Sequence, residues 1–207
     1  MESENLNNNT KSPRAAGLEI LITGFGGQGI VLAGQILGKA ASLADRKEST
    51  LTQSYGPEAR GGACSAQVII SENTIHYPYV RDLDILVCLS QGGFEKYGNL
   101  LKQEGTLIVD QDLVKVEAKR GGSLYAIPAT RMAEELGRKM MANIVLLGFL
   151  TAVTGAVSVD AARRTVAESV PKGTAESNVS AFNKGYEFGL ATLKSRQKKA
   201  EGKKKAV

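Results

Sequence analysis

The chain has 207 residues, of which 43% are hydrophobic and 23% charged, as expected for a globular protein with one sizeable core. The net charge of +5 is unevenly distributed, because residues 194–207 hold seven of the 26 basic side chains and one of the 21 acidic ones. The rest of the chain has a net charge of −1, which argues against a nucleic-acid-binding body.

Both ends of the chain are predicted to be disordered tails. Residues 1–16 are polar and rich in asparagine, and they lack the apolar segment of a signal peptide. Residues 194–207 form a basic tail, and residues 17–193 are predicted to be a single domain between the two. The longest apolar run, NIVLLGFLTAVTG, is shorter than a membrane span requires. We therefore expect a cytoplasmic protein without a membrane span.

The two cysteines, Cys64 and Cys88, each lie in an apolar, strand-like run. The sequence has no CxxC motif and no cluster of cysteine with histidine, so this chain alone offers neither a zinc site nor an iron–sulfur site. The cysteines are predicted to be buried free thiols, which suits a reducing compartment.

Apolar periodicity predicts an alternation of strands and helices. Strands are expected at residues 18–23, 84–89, 106–110 and 124–127, and an antiparallel hairpin at 63–70 and 74–79. Helices are expected at residues 30–44, 94–103, 130–139, 143–154, 159–170 and 176–195. Residues 46–62 are polar and predicted to be turn-rich. This order indicates an α/β fold: a three-layer α/β/α sandwich around a Rossmann-like, mixed and mostly parallel sheet, with C-terminal helices.

A glycine-rich segment, GFGGQG, follows the first predicted strand and precedes a helix. Gly24 would permit a tight turn, Gly26 would let a phosphate approach, and Gly29 would let the helix pack on the strand. A dinucleotide site also needs an acidic residue at the end of a second apolar strand, and Glu48 lies near that distance in a polar segment. Three interpretations remain open: a nicotinamide or flavin site, a site for another phosphate-bearing ligand, and a structural turn.

A second unusual segment, SYGPEARGG, occupies residues 54–62. Arg60 lies among small residues that leave space around a guanidinium, which can bind a phosphate or carboxylate through two hydrogen bonds. Tyr55 offers a flat ring and a hydroxyl group. A rigid surface turn with a solvated arginine is the alternative, but two glycine-rich loops so close in sequence favour a shared cleft.

A complete active site is not visible in the sequence. The single histidine, His76, lies in the predicted hairpin, so a serine or cysteine nucleophile activated by histidine is not expected. There is no GxxxxGK[ST] phosphate loop and no GDG…NN motif for thiamine diphosphate. Asp110 and Asp112 could form a carboxylate pair, although an aspartate at the end of a strand is usually a cap or turn former.

Five segments together resemble one protein family: GFGGQGI, SYGPEARGG, DILVCLSQGGFEKY, TLIVD and NIVLLGFL, in this order. The sequence is identified as similar to the gamma subunit of 2-oxoacid:ferredoxin oxidoreductases, above all those of the 2-oxoglutarate type. Oxidoreductases for pyruvate, branched-chain 2-oxoacids and indolepyruvate share the pattern. The resemblance extends over residues 18–193.

The resemblance implies a subunit of a complex that decarboxylates a 2-oxoacid, forms an acyl-CoA and passes two electrons to ferredoxin. It also implies alpha, beta and delta subunits as partners. Thiamine diphosphate with Mg²⁺ would lie between alpha and beta, and [4Fe–4S] clusters would lie on beta and on the ferredoxin-like delta subunit. This chain would hold no cofactor, metal or catalytic residue by itself.

By the same resemblance, the two glycine-rich loops would shape the coenzyme A side of a cleft shared with other subunits. The residues that would contact coenzyme A are Gly26, Gly27, Gln28, Gly29, Ser54, Tyr55, Arg60 and Gly61. Two alternatives are kept: a stand-alone Rossmann-type oxidoreductase that binds NAD(P) or FAD, and a purely structural subunit of the same complex.

Overall fold

The computed structural model of the protein describes residues 17–56, 62–117 and 121–205. The strands are β1 (Gly17–Phe25), β2 (Glu48–Tyr55), β3 (Ala63–Ser71), β4 (Leu83–Cys88), β5 (Leu101–Asp110) and β6 (Ser123–Ile127). The helices are α1 (Ile30–Lys39), α2 (Gln91–Tyr97), α3 (Ala129–Glu135), α4 (Ala142–Thr154), α5 (Val159–Ser169) and α6 (Ala175–Lys205). One π-helical segment, Ala40–Ala44, extends α1.

The six strands form one mixed sheet in the order β2-β3-β1-β4-β5-β6. β1, β4, β5 and β6 run parallel, whereas β3 is antiparallel to both of its neighbours, β1 and β2. The predicted α/β fold with a mixed, mostly parallel sheet is confirmed.

The alternation of side chains along the strands divides the core between the two faces of the sheet. The larger cluster packs residues such as Ile20, Ile22 and Val87 against α1 and α3 to α6. The smaller cluster packs Leu21 and Leu86, on the opposite face, against Phe94 and Tyr97 of α2. Helices therefore cover both faces, as a three-layer sandwich requires.

The hairpin prediction was wrong about which segment pairs with residues 63–70. Residues 74–79 form no strand; β3 instead pairs with β2, which lies in the segment predicted to be turn-rich. Both edges of β3 are occupied by β1 and β2, so a further strand has no free edge of β3 to pair with. β2 has the polar sequence ESTLTQSY because it is an edge strand, and only Leu51 among its residues packs on the core.

Two predicted helix ends were also wrong. The helix after β4 ends at Tyr97, and β5 begins at Leu101, inside the segment 94–103 that was predicted to be helical. α6 continues to Lys205 instead of ending at residue 195, so the basic segment prolongs this helix. The predicted N-terminal tail, residues 1–16, lies outside the described residues.

Candidate functional site

The two glycine-rich loops meet at the edge of the sheet where the parallel strands end. Phe25 at the end of β1 pairs with Ala63 at the start of β3, and Tyr55 at the end of β2 pairs with Cys64. The backbone N–H of Gly26 donates a hydrogen bond of 2.9 Å to the carbonyl oxygen of Gly62. The sheet register thus brings the first loop directly against the C-terminal end of the second.

The first loop has two glycines in left-handed conformations, Gly27 with φ 94° and Gly29 with φ 70°. A side chain at Gly27 would meet no described atom within 4 Å, so the space above this residue is open. Gly29 precedes α1, whose ten residues give its first turn a partial positive charge. The first-turn N–H groups of a helix have no acceptor within that helix, so this edge offers donors to an anion.

Gln28 has a structural contact that the sequence did not indicate. Its Oε1 accepts a hydrogen bond from the backbone N–H of Phe25 at 2.6 Å, and its Nε2 donates to the carbonyl oxygen of Leu89 at 3.0 Å. Leu89 follows β4, so the side chain of Gln28 links the loops after two neighbouring strands. A Cβ at Gly24 would lie closer than 3.0 Å to Gln28 Oε1, which means that this amide fills the space above Gly24.

The structure gives Gly24 and Gly29 other roles than those predicted from the loop sequence. Gly24 belongs to β1 and does not make a turn; its missing side chain leaves space for Gln28 and Ile30. Gly29 is required by its positive φ and by the close approach of Asn143, from the first turn of α4, and not by packing on the strand.

The second loop contributes exposed groups at the same edge. Ser54 is exposed, and the side chain of Tyr55 is 61% exposed at the end of β2. Phe25 is 45% exposed at the end of β1, but Phe25 and Tyr55 pair with consecutive residues of β3, so their rings lie on opposite faces of the sheet. Arg60 and Gly61, which were also predicted to bind coenzyme A, lie outside the described residues.

Asp110 and Asp112 do not form a catalytic carboxylate pair. Asp110 is buried, and its carboxylate accepts hydrogen bonds from the N–H and hydroxyl of Thr130 and from the N–H of Asp112, at 2.8, 2.6 and 3.0 Å. Asp112 bonds the guanidinium of Arg131, and this carboxylate raises the pKa of Arg131. The alternative of a cap or turn former is the correct one, because Asp110 ties the end of β5 to the first turn of α3.

Comparison with known proteins identifies the family. A family model described as pyruvate ferredoxin/flavodoxin oxidoreductase matches residues 19–188. The chain belongs to the pyruvate ferredoxin/flavodoxin oxidoreductase family. This match includes the glycine loop, the second loop and the start of α4, so all the positions described above lie in the family's domain.

Several relatives in this family cover most of the chain. The 2-oxoglutarate synthase subunit KorC of Methanocaldococcus jannaschii is 52% identical over 82% of this chain and 92% of its own length. The pyruvate synthase subunit PorC of Methanothermobacter thermautotrophicus is 34% identical over 82% of this chain and 94% of its own.

Solved structures in this family show the same fold. The keto/oxoacid ferredoxin oxidoreductase gamma subunit of Geobacter sulfurreducens has a TM-score of 0.75 and 42% identity, covering 84% of this chain and 99% of its own. The 2-oxoglutarate:ferredoxin oxidoreductase of Magnetococcus marinus, a structure with 2-oxoglutarate, coenzyme A and succinyl-CoA bound, has a TM-score of 0.78 and 23% identity. It covers 84% of this chain and 31% of that one, and at this identity it shows the fold alone.

The family fold differs from a dinucleotide-binding fold at the position that would bind ribose. Glu48 stands at the start of β2, where it pairs with Ser71, and Ser71 pairs with Gly17 at the start of β1. Glu48 therefore lies at the edge of the sheet opposite to the glycine loop. In addition, antiparallel β3 separates β2 from β1, so the NAD(P) or FAD alternative is not favoured.

A cavity of about 400 Å³ lies away from the two loops. It is lined by residues at or near the starts of β5 and β6, among them Leu101, Gly105 and Ser123. Ligands of open α/β sheets bind at the carboxyl ends of the strands, so the cavity lies at the edge where a site is not expected. The glycine loops remain the candidate site of this family member.

Three further observations concern the remaining predictions. Cys64 and Cys88 are buried and form no disulfide, as predicted. Within the described ranges, no helix combines the length and apolar character needed to cross a bilayer. The same part of the chain has no group of three or more histidine, cysteine or acidic side chains arranged to hold a metal ion.

Proposed function

We propose that this chain is the gamma subunit of a 2-oxoglutarate:ferredoxin oxidoreductase and that its two glycine-rich loops shape the coenzyme A side of the active site. The complex would convert 2-oxoglutarate and coenzyme A to succinyl-CoA and CO₂, with two electrons passed to ferredoxin. The preference for 2-oxoglutarate is supported by relatives named 2-oxoglutarate synthase subunits at 37–52% identity, against 33–34% for pyruvate synthase subunits.

The observation that carries the coenzyme A proposal is the junction of the loops at Gly26 and Gly62. Beside this junction lie the first turn of α1, the open space above Gly27 and the exposed ring of Tyr55, which is on the same face of the sheet as α1. Unpaired N–H groups suit a phosphate, and exposed rings suit a stacked base. Coenzyme A carries both groups, and it is bound in the related 2-oxoglutarate:ferredoxin oxidoreductase of Magnetococcus marinus.

The other parts of the reaction belong to partner subunits in this proposal. Thiamine diphosphate with Mg²⁺ and the [4Fe–4S] clusters would be held by alpha, beta and delta chains. The role of this chain is then to bind and orient coenzyme A, while Gln28 keeps the loops after β1 and β4 in register. Arg60 and Gly61 remain proposed contacts from the resemblance.

The proposal is tested by changing the charge at Gly27 in the purified complex. Asparagine and aspartate both tolerate left-handed backbone, so Gly27→Asn and Gly27→Asp differ mainly by one negative charge. Gly27→Asp is expected to raise the KM for coenzyme A about tenfold above that of Gly27→Asn, because like charges would face each other. The KM for the 2-oxoacid should stay the same in both variants.

Gly155→Asp is the matched control. Gly155 has φ 63° and open space around it, and it follows the C-terminal end of α4, whose first turn contacts Gly29. A helix of 13 residues places it roughly 20 Å from the glycine loop.

If Gly27→Asp leaves both KM values unchanged, the loops do not bind coenzyme A. If it dissociates the complex and the residual complex keeps normal kinetics, the alternative of a purely structural subunit is favoured.

A further inference from the structure

Asn143, in the first turn of α4, has a buried side-chain amide whose NH₂ group makes a hydrogen bond and whose oxygen has no partner among the described residues. The residue is 3% exposed, and its Nδ2 donates a hydrogen bond of 3.0 Å to the carbonyl oxygen of Gly29. Its Oδ1 is buried and has no hydrogen-bond partner among residues 17–56, 62–117 and 121–205. A buried acceptor without a donor costs free energy, whereas an apolar side chain of similar size would avoid that cost.

The side-chain hydrogen bond of Asn143 acts on the peptide group at the start of α1. The Gly29 carbonyl also accepts a hydrogen bond from the N–H of Ala33 at 3.0 Å, so helix formation does not depend on Asn143. In a planar trans peptide, the carbonyl of Gly29 and the N–H of Ile30 point in opposite directions. Holding the carbonyl toward α1 and α4 therefore directs the Ile30 N–H out of the helix, toward the strand edge.

Asn143 restrains the Gly29 carbonyl in addition to the restraint from the N–H of Ala33. Gly29 has φ 70°, and glycine enters and leaves this region at little energetic cost. Asn143 Nδ2 occupies the position above Gly29 so closely that a Cβ there would lie closer than 3.0 Å to it. The amide of Asn143 thus limits the motion of the one residue that joins the glycine loop to α1.

We propose that Asn143 is a positioning residue for coenzyme A. By fixing the peptide between Gly29 and Ile30, it keeps the first N–H of α1 directed at the cleft in which a phosphate of coenzyme A would bind. This inference rests on the proposed function and adds a residue from α4 to the site. Asn143 would act through the backbone, without touching coenzyme A itself.

The test is Asn143→Leu in the purified complex. Leucine has a similar size and no polar atom, so a residue that only packs the core should tolerate it with an unchanged or higher melting temperature. We expect the KM for coenzyme A to rise about tenfold, the KM for the 2-oxoacid to stay constant, and kcat at saturating coenzyme A to stay near the normal value. A KM for coenzyme A within about twofold of normal overturns the proposal.

Thr151→Val is the matched control, because Thr151 is a buried polar residue of the same helix whose hydroxyl donates to the Leu147 carbonyl. It should leave both KM values unchanged. If Asn143→Leu lowers the yield of assembled complex, Asn143→Ala is measured in the same way; its side chain cannot reach Gly29, so an unchanged KM for coenzyme A again overturns the proposal. If the KM for coenzyme A rises for Gly27→Asp but not for Asn143→Leu, the role of Asn143 is rejected and the proposed function stands. If it rises for neither variant, the proposed function is rejected as well.

Discussion

At the scale of single residues, burial separates the groups that can react from those that cannot. Cys64 is 5% exposed in β3 and Cys88 is completely buried in β4. Burial raises the pKa of the Cys64 thiol, because the charged thiolate loses its hydration. Less thiolate is therefore present at a given pH than in an exposed cysteine, and the thiolate is the reactive form.

We predict that both cysteines resist alkylation in the native protein. At about pH 8, iodoacetamide should label Cys64 and Cys88 at least about tenfold more slowly in the folded chain than in denaturant, because reaction must wait for local opening. Mass spectrometry of timed samples measures the rate at each cysteine. Rapid labelling of Cys64 in the folded chain would mean that the start of β3 is open to solvent.

The residues of the site were only partly predictable. The spacing of the glycines indicated a loop before a helix, and the structure has that loop. The hydrogen bonds of Gln28 could not be predicted, because its partner Leu89 is 61 residues away along the chain. Asn143 lies 114 residues from Gly29. The only signal for it in the sequence was a polar residue at the start of the apolar segment NIVLLGFL.

At the scale of elements, α4 and α6 form a helix pair that is packed through glycines. A Cβ at Gly148 would lie closer than 3.0 Å to the carbonyl oxygen of Phe182, and one at Gly185 equally close to that of Val145. A Cβ at Gly189 would lie closer than 3.0 Å to the Cβ of Ala152. Glycine lowers intrinsic helix stability, so these glycines are explained by the close approach of the two backbones.

We predict that Gly185→Ala destabilises the protein. The added methyl group has no space against the backbone of Val145, and overpacking of this kind costs about 1–3 kcal/mol even after the gain in helix propensity. Gly202→Ala is the control within the same helix, since no described atom lies within 4 Å of the position that its methyl group would occupy. It should leave the free energy of unfolding unchanged or raise it by up to about 1 kcal/mol. Urea unfolding of both variants makes the comparison, and equal stabilities would show that the helices can separate at no cost.

The elements themselves were predictable where burial dominates. The apolar runs of β1, β4 and β5 correspond to strands covered on both faces, whereas β6 buries Tyr125 and Ile127 on one face and exposes the other. β2 was missed because its sequence is polar, and residues 74–79 were misassigned because their tyrosines resemble strand residues. Tyr77 and Tyr79 are instead exposed and pack on each other, with their ring centroids 5.5 Å apart. Which segment pairs with β3 is decided by the free edges of the sheet, and local propensity does not contain that information.

At the scale of the whole molecule, the charge is concentrated at the far end of α6. Arg196 anchors this helix to the edge strand β6: its guanidinium donates to the Leu124 carbonyl and lies 3.8 Å from the centre of the Tyr125 ring. This contact also covers part of an open strand edge, which protects against pairing with another chain. Beyond Arg196, residues 197–202 are exposed.

We predict that ending the chain after residue 197 leaves its stability unchanged and removes its basic character. The deletion takes away five lysines and one glutamate, which lowers the net charge from +5 to +1. Retention on a cation-exchange column should fall strongly, while the melting temperature should stay within about 2 °C, because the Arg196 contacts are kept. A large drop in melting temperature would instead assign a structural role to the end of α6.

The hydrogen bond between Gly26 and Gly62 has a consequence for how related chains can diverge. Gly62 lies just before β3 and Gly56 just after β2, two antiparallel strands that are held in register over their whole length by the ladder. The pairs between β2 and β3 end at Tyr55 and Cys64, so the register of the sheet does not depend on which residues lie between Gly56 and Gly62. Related chains can therefore differ in sequence between Gly56 and Gly62 and so in the shape of the proposed cleft, while the sheet and the glycine loop are preserved.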